Sequence, residues 1–333
     1  MIDSSKIKYN LIAILPNGGQ LKLDNFLRTI TLSESDGELA ARMEAEIQNQ
    51  KMDDGTWLHQ KLQLNGKVVL MADWGEGLKE VFRGTIFDWD YNTDPLGHFT
   101  ITAYDDLIYL TKSSDDKFYK AGQTAKGIIE DIAKSWSIPL GKIDGPNVAV
   151  GKQVFRGDTL ADMIKTVLDE AKSRGAGKWI VRSSLGKIEV VKPGQNSPVY
   201  LFTADENVES INDRQSIENL VTRVKIYGGE DAETKAPLVA QIDGKTEFGV
   251  LQEVIYQRQY DTPAAAKSAA QEILKERGSP EKTRKVIAAD VPFLRKGDKV
   301  KISAGTLIGY YIVSGVSHNI TQGIMSMEVE DIG

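Results

Sequence analysis

Cysteine is absent from this chain of 333 residues. Its absence excludes disulfides, zinc sites built on thiolates and a cysteine nucleophile, and it fits a protein made in a reducing cytoplasm. No apolar run reaches the ~20 residues that a membrane-spanning helix needs. The N-terminal apolar patch carries Asp3 and lacks a small-residue cleavage site, so we predict neither a signal peptide nor membrane insertion.

Histidine is scarce, with three in the chain. His59, His98 and His318 lie in three different predicted β segments, and no two have the i, i+4 spacing of a metalloprotease helix. We expect His318, which stands beside Asn319, to be a turn or edge residue. No glycine-rich phosphate loop, nucleophile elbow or dinucleotide fingerprint occurs. The sequence therefore predicts no metal site and no cofactor.

Positive charge is not concentrated anywhere along the chain. The 41 Lys and Arg residues are interspersed with 47 Asp and Glu residues, and the formal net charge is −6. Binding to the phosphates of DNA or RNA requires a concentrated positive surface. We therefore predict no contact with nucleic acid.

What the chain does contain is β structure, with 30 glycines against 10 prolines. The stretch 81–112 predicts two strands joined by a turn over 92–97, because apolar residues recur at every second position. These alternating positions are Phe82, Ile86, Phe99, Ile101 and Ala103. A β module is therefore expected to end near Lys112.

A second stretch of similar make-up closes the chain from residue 297 onward. Its predicted elements are a strand over 299–303, a hairpin over 305–309 and two later strands. Both stretches place a glycine-containing strand, with Gly84 or Gly315, before a loop. Each then continues into a strand that ends in aspartate, Asp105 or Asp331. We infer two similar β modules at opposite ends of the chain.

The N-terminal module is predicted to contain further strands over 6–16, 20–28, 30–33, 57–62 and 67–74. Asn65-Gly66 predicts a hairpin turn, because both central positions of such a turn need positive φ. Leu39, Met43 and Ile47 recur at four-residue spacing. This spacing predicts a short amphipathic helix, and a continuing strand is the alternative.

The middle of the chain predicts two helices and a hairpin. Thr124 is expected to cap a helix over 125–138, and Asp158 or Thr159 a second helix that begins at Leu160. A hairpin follows with its turn at 184–186. After the proline- and glycine-containing linker at 193–198, the predicted elements are strands over 199–202, 216–227 and 249–260 and a helix near 263–277.

These elements predict an α+β fold that is mainly β, with two antiparallel β-barrel-like modules and an inserted small α/β domain. The predicted domain limits are 1–112 for the N-terminal β module, 113–195 for the inserted domain and 196–333 for the second β module.

Two motifs suggest chemistry. Asp88, Asp90 and Asp94 occur close in sequence to Asp105 and Asp106, and a pair of these carboxylates could form a glycosidase dyad. Acidic strand ends are usually solvated, so we predict no catalytic residues.

Gly157-Asp158-Thr159-Leu160 is similar to the opening of lysin motifs that bind peptidoglycan, and Gly122-Gln123-Thr124 is partly so. Asp and Thr are also good helix caps, with Leu as the first core residue, and this interpretation needs no sugar.

The order of the motifs carries a family resemblance. FRGTIFDW, TITAYDDLIYLTKS, GQTAKGIIEDIAKSWSIP, FRGDTLADMIKTVLDEA and GDKVKISAGTLIGYYIVSGVSHNITQGIMSMEVE follow one another through essentially the whole chain. In this order they resemble the baseplate hub proteins of contractile phage tails and of phage-derived bacteriocins, or tailocins. The sequence looks closest to the XkdQ-like branch of the late control protein D group.

The resemblance implies a structural, non-enzymatic protein of a contractile injection system. Such hubs are homotrimers whose two barrel-like domains per chain form a pseudo-sixfold ring between the tail tube and the central spike. The implied partners are the tube or tube-initiator protein, the spike and other baseplate proteins. The implied location is the baseplate of a phage or phage-like particle. The alternative is a tail protein that binds or hydrolyses the peptidoglycan of the cell wall.

Overall fold

Strands dominate the structure, a computed structural model that describes residues 6–93, 97–228, 236–257 and 262–332. Residues 1–211 and 285–333 form one compact unit, and residues 212–284 form a second. None of the helices in the described ranges is long and apolar enough to cross a membrane. The predicted fold class, α+β and mainly β, is confirmed.

Seven strands build the N-terminal module. They are β1 (Lys8–Ile14), β2 (Gln20–Lys22), β3 (Leu27–Glu34), β4 (Arg42–Gln48), β5 (Lys67–Asp73), β6 (Lys79–Asn92) and β7 (His98–Tyr104), with a 3-10 turn at Asp24–Phe26 and helix α1 at Leu58–Lys61. The strands form one antiparallel sheet in the order β3-β4-β7-β6-β5-β1-β2. All five alternating apolar residues predicted from 81–112 are buried in its core.

Three local predictions in this module are wrong: the helix around Met43 and Ile47, for which a strand was the alternative, the strand over 57–62 and the hairpin turn at Asn65-Gly66. The segment around Met43 and Ile47 is strand β4, where these residues are buried and Glu44 and Glu46 between them are not. A four-residue spacing is also a multiple of two, so it satisfies the strand period as well as the helix period. The predicted strand over 57–62 is α1, and Asn65, at φ +64°, joins α1 to β5 rather than closing a hairpin.

The inserted segment contains the two predicted helices and the predicted hairpin. Its elements are α2 (Ile108–Lys112), β8 (Ser114–Tyr119), α3 (Ala125–Ser135), β9 (Leu140–Ile143), β10 (Gln153–Thr159), α4 (Leu160–Ala171), a π turn (Lys172–Ala176), β11 (Ile180–Ser184) and β12 (Lys187–Val191). The hydroxyl oxygens of Thr124 and Thr159 accept the Gly127 and Asp162 amides, so both caps are threonines. The sequence did not predict α2, β8, β9 or β10.

The C-terminal strands repeat the arrangement of the N-terminal module. They are β13 (Tyr200–Thr203), β14 (Val208–Ser216), β18 (Glu281–Ala289), β19 (Lys299–Ala304), β20 (Leu307–Asn319) and β21 (Ile324–Asp331). Their order is β14-β18-β21-β20-β19, with β13 parallel to β19. The end of β20 pairs with β3, which joins both modules into one sheet. Among the described strands, the pairings leave the sheet open rather than closed into a barrel.

The second unit contains β15 (Arg223–Tyr227), β16 (Leu238–Asp243), β17 (Gln252–Tyr256) and α5 (Pro263–Arg277). Its three-stranded sheet has the order β16-β15-β17 and packs Val224, Ile226 and Ile255 against alanines of α5. Helix α5 is confirmed. The predicted strands over 216–227 and 249–260 are shorter than expected, and residues 258–260 lie outside the described ranges. The three-domain division of the chain stays a prediction.

Candidate functional site

A cluster of buried charges lies where the N-terminal module, the inserted segment and the C-terminal strands meet. The Arg295 guanidinium, in the loop before β19, donates to the Glu34 carboxylate of β3 at 2.6 Å. Arg182 of β11 donates to the Asp298 carboxylate at 3.2 Å. The Lys296 ammonium donates to two backbone carbonyl oxygens of the loop after β3. We call this set, completed by Asp105, the charged junction.

Burial and pairing set the ionisation of these groups. Burial opposes the charged form of Glu34, but the Arg295 guanidinium outweighs it and lowers the pKa of that carboxyl. Burial lowers the pKa of Lys296 and raises the pKa of Asp298. It also raises the pKa of Asp105 to about 7, although the backbone amides of residues 41 and 107 donate to its carboxylate. The charged junction therefore links the N-terminal module, the inserted segment and the C-terminal strands. The ionisation of each of its groups depends on the charges of the others.

His318 is buried beside this junction, so its predicted turn or edge position is wrong. Its Nδ1 lies 2.6 Å from an Asp290 carboxylate oxygen and its Nε2 lies 3.0 Å from the Leu294 carbonyl oxygen. Tyr9 of β1 donates to the other oxygen of Asp290. These partners stand far from His318 in sequence, and no local pattern could reveal them. The histidine serves the packing of β1, β20 and the loop after β18.

The other two histidines occupy separate places in the N-terminal module. His59 packs against Trp57, Trp89 and Tyr91, with its ring centroid 5.1 Å from that of Tyr91. The Nε2 of His98 lies 3.2 Å from a Glu46 carboxylate oxygen. In the part of the chain that the structure describes, no three His, Asp or Glu side chains are placed to hold a metal ion.

The candidate carboxylates are not in one environment. Asp88 and Asp90 are exposed on β6, whereas Asp105 is 3% exposed beneath backbone amides. Asp106 is 3.8 Å from the Lys67 ammonium. Asp94 lies outside the described residues.

The lysin-like motif forms the start of α4. Thr159 is the cap of that helix, and the Asp158 carboxylate accepts the Arg156 amide. A cavity of about 630 Å³ opens beside this helix start, between α4 and the loop after β3. Basic side chains on its wall include Arg42, Lys165 and Lys172. The motif residues thus have structural partners, and the cavity beside them has room for a ligand.

The two β modules share more than composition. Five strands of each follow the same order, β3-β4-β7-β6-β5 and β14-β18-β21-β20-β19. The β6–β7 pair has a register shift directly after Ile86, and the β20–β21 pair has one directly after Val313. The pairing with the preceding strand also matches. Lys67 of β5 stands opposite Thr85 of β6, and Lys299 of β19 stands opposite Ile312 of β20. Residues 88–92 of β6 therefore correspond to residues 315–319 of β20.

The matching halves of β6 and β20 differ in what covers them. Residues 316–319 of β20 pair with β3, and both Val316 and His318 are buried. On β6, the pairing with β5 ends at Thr85, and no described strand pairs with that side of residues 89–92. Tyr91 there is 37% exposed, and Trp57, which stacks on the His59 ring next to Tyr91, is 44% exposed. An aromatic strand edge is thus open in one module and filled in the other.

Two known proteins are similar to this chain in sequence. YqbQ of Bacillus subtilis (strain 168) is 30% identical over 233 residues, which are 68% of this chain and 68% of YqbQ. The phage-like element PBSX protein XkdQ of the same strain is 27% identical over 259 residues, 73% of this chain and 77% of XkdQ. The resemblance to XkdQ-like proteins is confirmed.

Solved structures share the fold at low sequence identity. The 43 kDa tail protein of prophage MuSo2 from Shewanella oneidensis has a TM-score of 0.69 at 14% identity, covering 96% of this chain and 98% of that one. The E. coli c3393 protein has a TM-score of 0.54 at 11% identity, covering 98% and 77%. It is a component of the type VI secretion system with structural similarity to the T4 bacteriophage tail proteins gp27 and gp5. The YQBQ-like family matches residues 30–330, and the chain belongs to that family.

Proposed function

We propose that this protein is a structural, non-enzymatic component of the baseplate of a phage or phage-like particle. In this role three copies form a pseudo-sixfold ring that joins the tail tube to the central spike of a contractile injection apparatus. The relatives and structural neighbours, which include phage-element and phage-tail proteins, support the tail role. The proposed partners are the tube or tube-initiator protein, the spike and other baseplate proteins.

The internal repeat is the observation that carries the proposal. A threefold assembly presents six similar segments to a sixfold tube only if each chain supplies two of them. The shared strand order and the matched register shift after Ile86 and Val313 supply two such segments. The β3–β20 pairing sets them edge to edge. Ring pairing also covers strand edges that would otherwise favour aggregation.

The positions of the candidate carboxylates favour a structural role over hydrolysis. Asp88 is solvent-exposed, and Asp105 holds two backbone amides in the charged junction. A cell-wall hydrolase acting through these groups should lose activity in Asp88→Asn and Asp105→Asn variants. We expect the unmodified protein to release no soluble fragments from purified cell wall.

Light scattering on the purified chain, alone and mixed with its neighbouring spike protein, tests the proposal. One chain has a mass of 36.7 kDa, so a cyclic trimer would weigh about 110 kDa. A trimer in either condition supports the ring. A monomer in both contradicts it.

Retention of the full chain on purified peptidoglycan would favour wall binding instead. The cavity beside α4 is the specific feature that such binding would use. An Ala161→Trp variant, whose side chain would partly fill that cavity, should then abolish retention.

A further inference from the structure

The β3–β20 pairing within one chain is a template for a contact between chains. Val316 stands opposite Glu34, and Asn319 stands opposite Thr31, in an antiparallel register of four residue pairs. In the matching module, residues 89–92 of β6 correspond to 316–319 of β20. The segment that corresponds to Thr31–Glu34 must therefore be found in the strand that repeats β3.

That strand is β14, which is the terminal strand of the sheet. Leu27 of β3 stands opposite Ile47 of β4. The residue of β18 that matches Ile47 is Ala288, because Ile47 and Ala288 pair with corresponding residues of β7 and β21. The Asn207 carbonyl accepts the Ala289 amide, which sets Val208 beside Ala288. Val208 therefore matches Leu27.

The burial pattern fixes the rest of the register. Leu27, Ile30 and Leu32 face the core, with a register irregularity after Leu27 that separates the first two by three residues. In β14 the less exposed positions are Val208, Ile211, Asp213 and Ser216, and the first three have the same spacing. The Asp213 carboxylate lies 3.5 Å from the guanidinium of Arg284, the β18 residue that this spacing places opposite it. Residues 212–215 of β14 therefore correspond to Thr31–Glu34.

We propose that the open edge of β6 at residues 89–92 pairs antiparallel with residues 212–215 of β14 in a second copy of this chain. This inference rests on the proposed ring function and names the strands that close the ring. The intrachain register then sets Trp89 opposite Gln215 of the next copy and Asp90 opposite Arg214 of the next copy. The two edges differ, so the contact runs head to tail and closes by rotation.

Charge supports this register. The Asp90 carboxylate is exposed, and within the described residues no side chain pairs with it. The Arg214 side chain is 57% exposed and has a long 3.4 Å contact with Glu218. Opposite charges directly across a strand pair are stabilising, and like charges are destabilising. Tyr91, on the same half of β6, has an exposed ring, and the incoming strand would cover part of it.

The absence of cysteine makes a direct test possible, because introduced thiols have no native competitors. Directly opposite residues of an antiparallel pair have Cα atoms about 4.5–5.5 Å apart, which is within the Cα separation that a disulfide spans. An Asp90→Cys/Arg214→Cys protein should form a covalent trimer on mild oxidation. The matched control, Asp88→Cys/Arg214→Cys, is displaced by two residues on the same face. We expect it to cross-link at least tenfold less.

Charge reversal provides an independent readout. Asp90→Arg alone should weaken trimer formation at least tenfold, because it faces Arg214 of the next copy. Adding Arg214→Asp should restore the trimer. Far-ultraviolet circular dichroism of each variant reports whether both units of the chain remain folded, so a loss of assembly with an unchanged spectrum is specific to the contact.

The outcomes separate this inference from the ring itself. Covalent trimers from the Asp90/Arg214 pair, with charge rescue, support the proposed contact. A trimer by light scattering without preferential cross-linking or rescue overturns the strand assignment and leaves the ring function standing. A covalent product that stops at a dimer also overturns it, since head-to-tail closure requires three chains. A monomer alone and with the spike protein refutes both.

Discussion

The charged junction allows a quantitative test of what holds the modules together. Arg295→Met leaves the Glu34 carboxylate buried without its guanidinium partner. Removing one member of a buried ion pair costs about 3–5 kcal/mol, because the remaining charge keeps its desolvation cost. Replacing both members by apolar residues of similar volume is often neutral or stabilising. Glu34→Leu/Arg295→Met should therefore recover most of the loss.

Tryptophan emission during urea unfolding is a suitable assay, because all the tryptophans lie in the larger unit. They are Trp57, Trp74, Trp89, Trp136 and Trp179. With a urea m-value of about 3 kcal/mol per M for a unit of this size, the Arg295→Met midpoint should fall by about 1–1.7 M. Measurements at one fixed protein concentration keep any assembly contribution constant.

An exposed ion pair supplies the matched control. The Lys142 ammonium lies 3.1 Å from an Asp144 carboxylate oxygen, and the lysine side chain is 62% exposed. Exposed pairs contribute about 1 kcal/mol or less, so Lys142→Met should barely move the midpoint. If Arg295→Met shifts the midpoint no more than Lys142→Met does, the junction does not stabilise the fold in the way described.

Three further predictions concern single positions. Folding raises the pKa of Asp105 from its ordinary 3.8 to about 7, so its contribution to the free energy of unfolding is fully present below pH 4 and is lost as the pH rises to 7. The penalty of Asp105→Asn in urea should therefore be smaller at pH 8 than at pH 5, by about 2–3 kcal/mol; an equal penalty at both pH values would contradict the raised pKa. A Cβ on Gly84 would lie 2.6 Å from the Tyr104 carbonyl oxygen, so Gly84→Ala should cost about 1–3 kcal/mol in the same assay, whereas an unchanged midpoint would show that the strands shift freely. Thr159→Ala removes the cap of α4 and should cost about 1 kcal/mol, and Thr159→Ser, which keeps the hydroxyl, should restore most of it.

Local patterns predicted the elements whose cause is local. The alternation around Phe82 and Phe99 buried one face of β6 and β7, and the cap at Thr124 set the start of α3. The turn at 184–186 formed because Leu185 and Gly186 both adopt positive φ. Where two periods coincide, as at Met43 and Ile47, the sequence could not decide between helix and strand. Core packing of β4 between β3 and β7 decided it.

The candidate site was harder to predict, because its parts come from distant segments. His318 and Tyr9 reach the same Asp290 carboxylate only when the tertiary fold brings β20, β1 and the loop after β18 together. Glu34 and Arg295 are separated by most of the chain, and neither stands in a motif. The compact unit at 212–284 was also not predicted from the sequence. Its limits fall inside β14 and β18, and both look like ordinary strands in the sequence.

By itself the sequence determined the mainly β class, the inserted helices and hairpin, and two similar β stretches at the ends of the chain. Each of these follows from side-chain periodicity, caps and turns within a few residues. Only the tertiary structure decided that β20 pairs with β3, that charges are buried where the modules meet, and that one half of β6 stays open. Those features depend on which strand edges meet and what they bury, and periodicity along one strand carries no information about its neighbour.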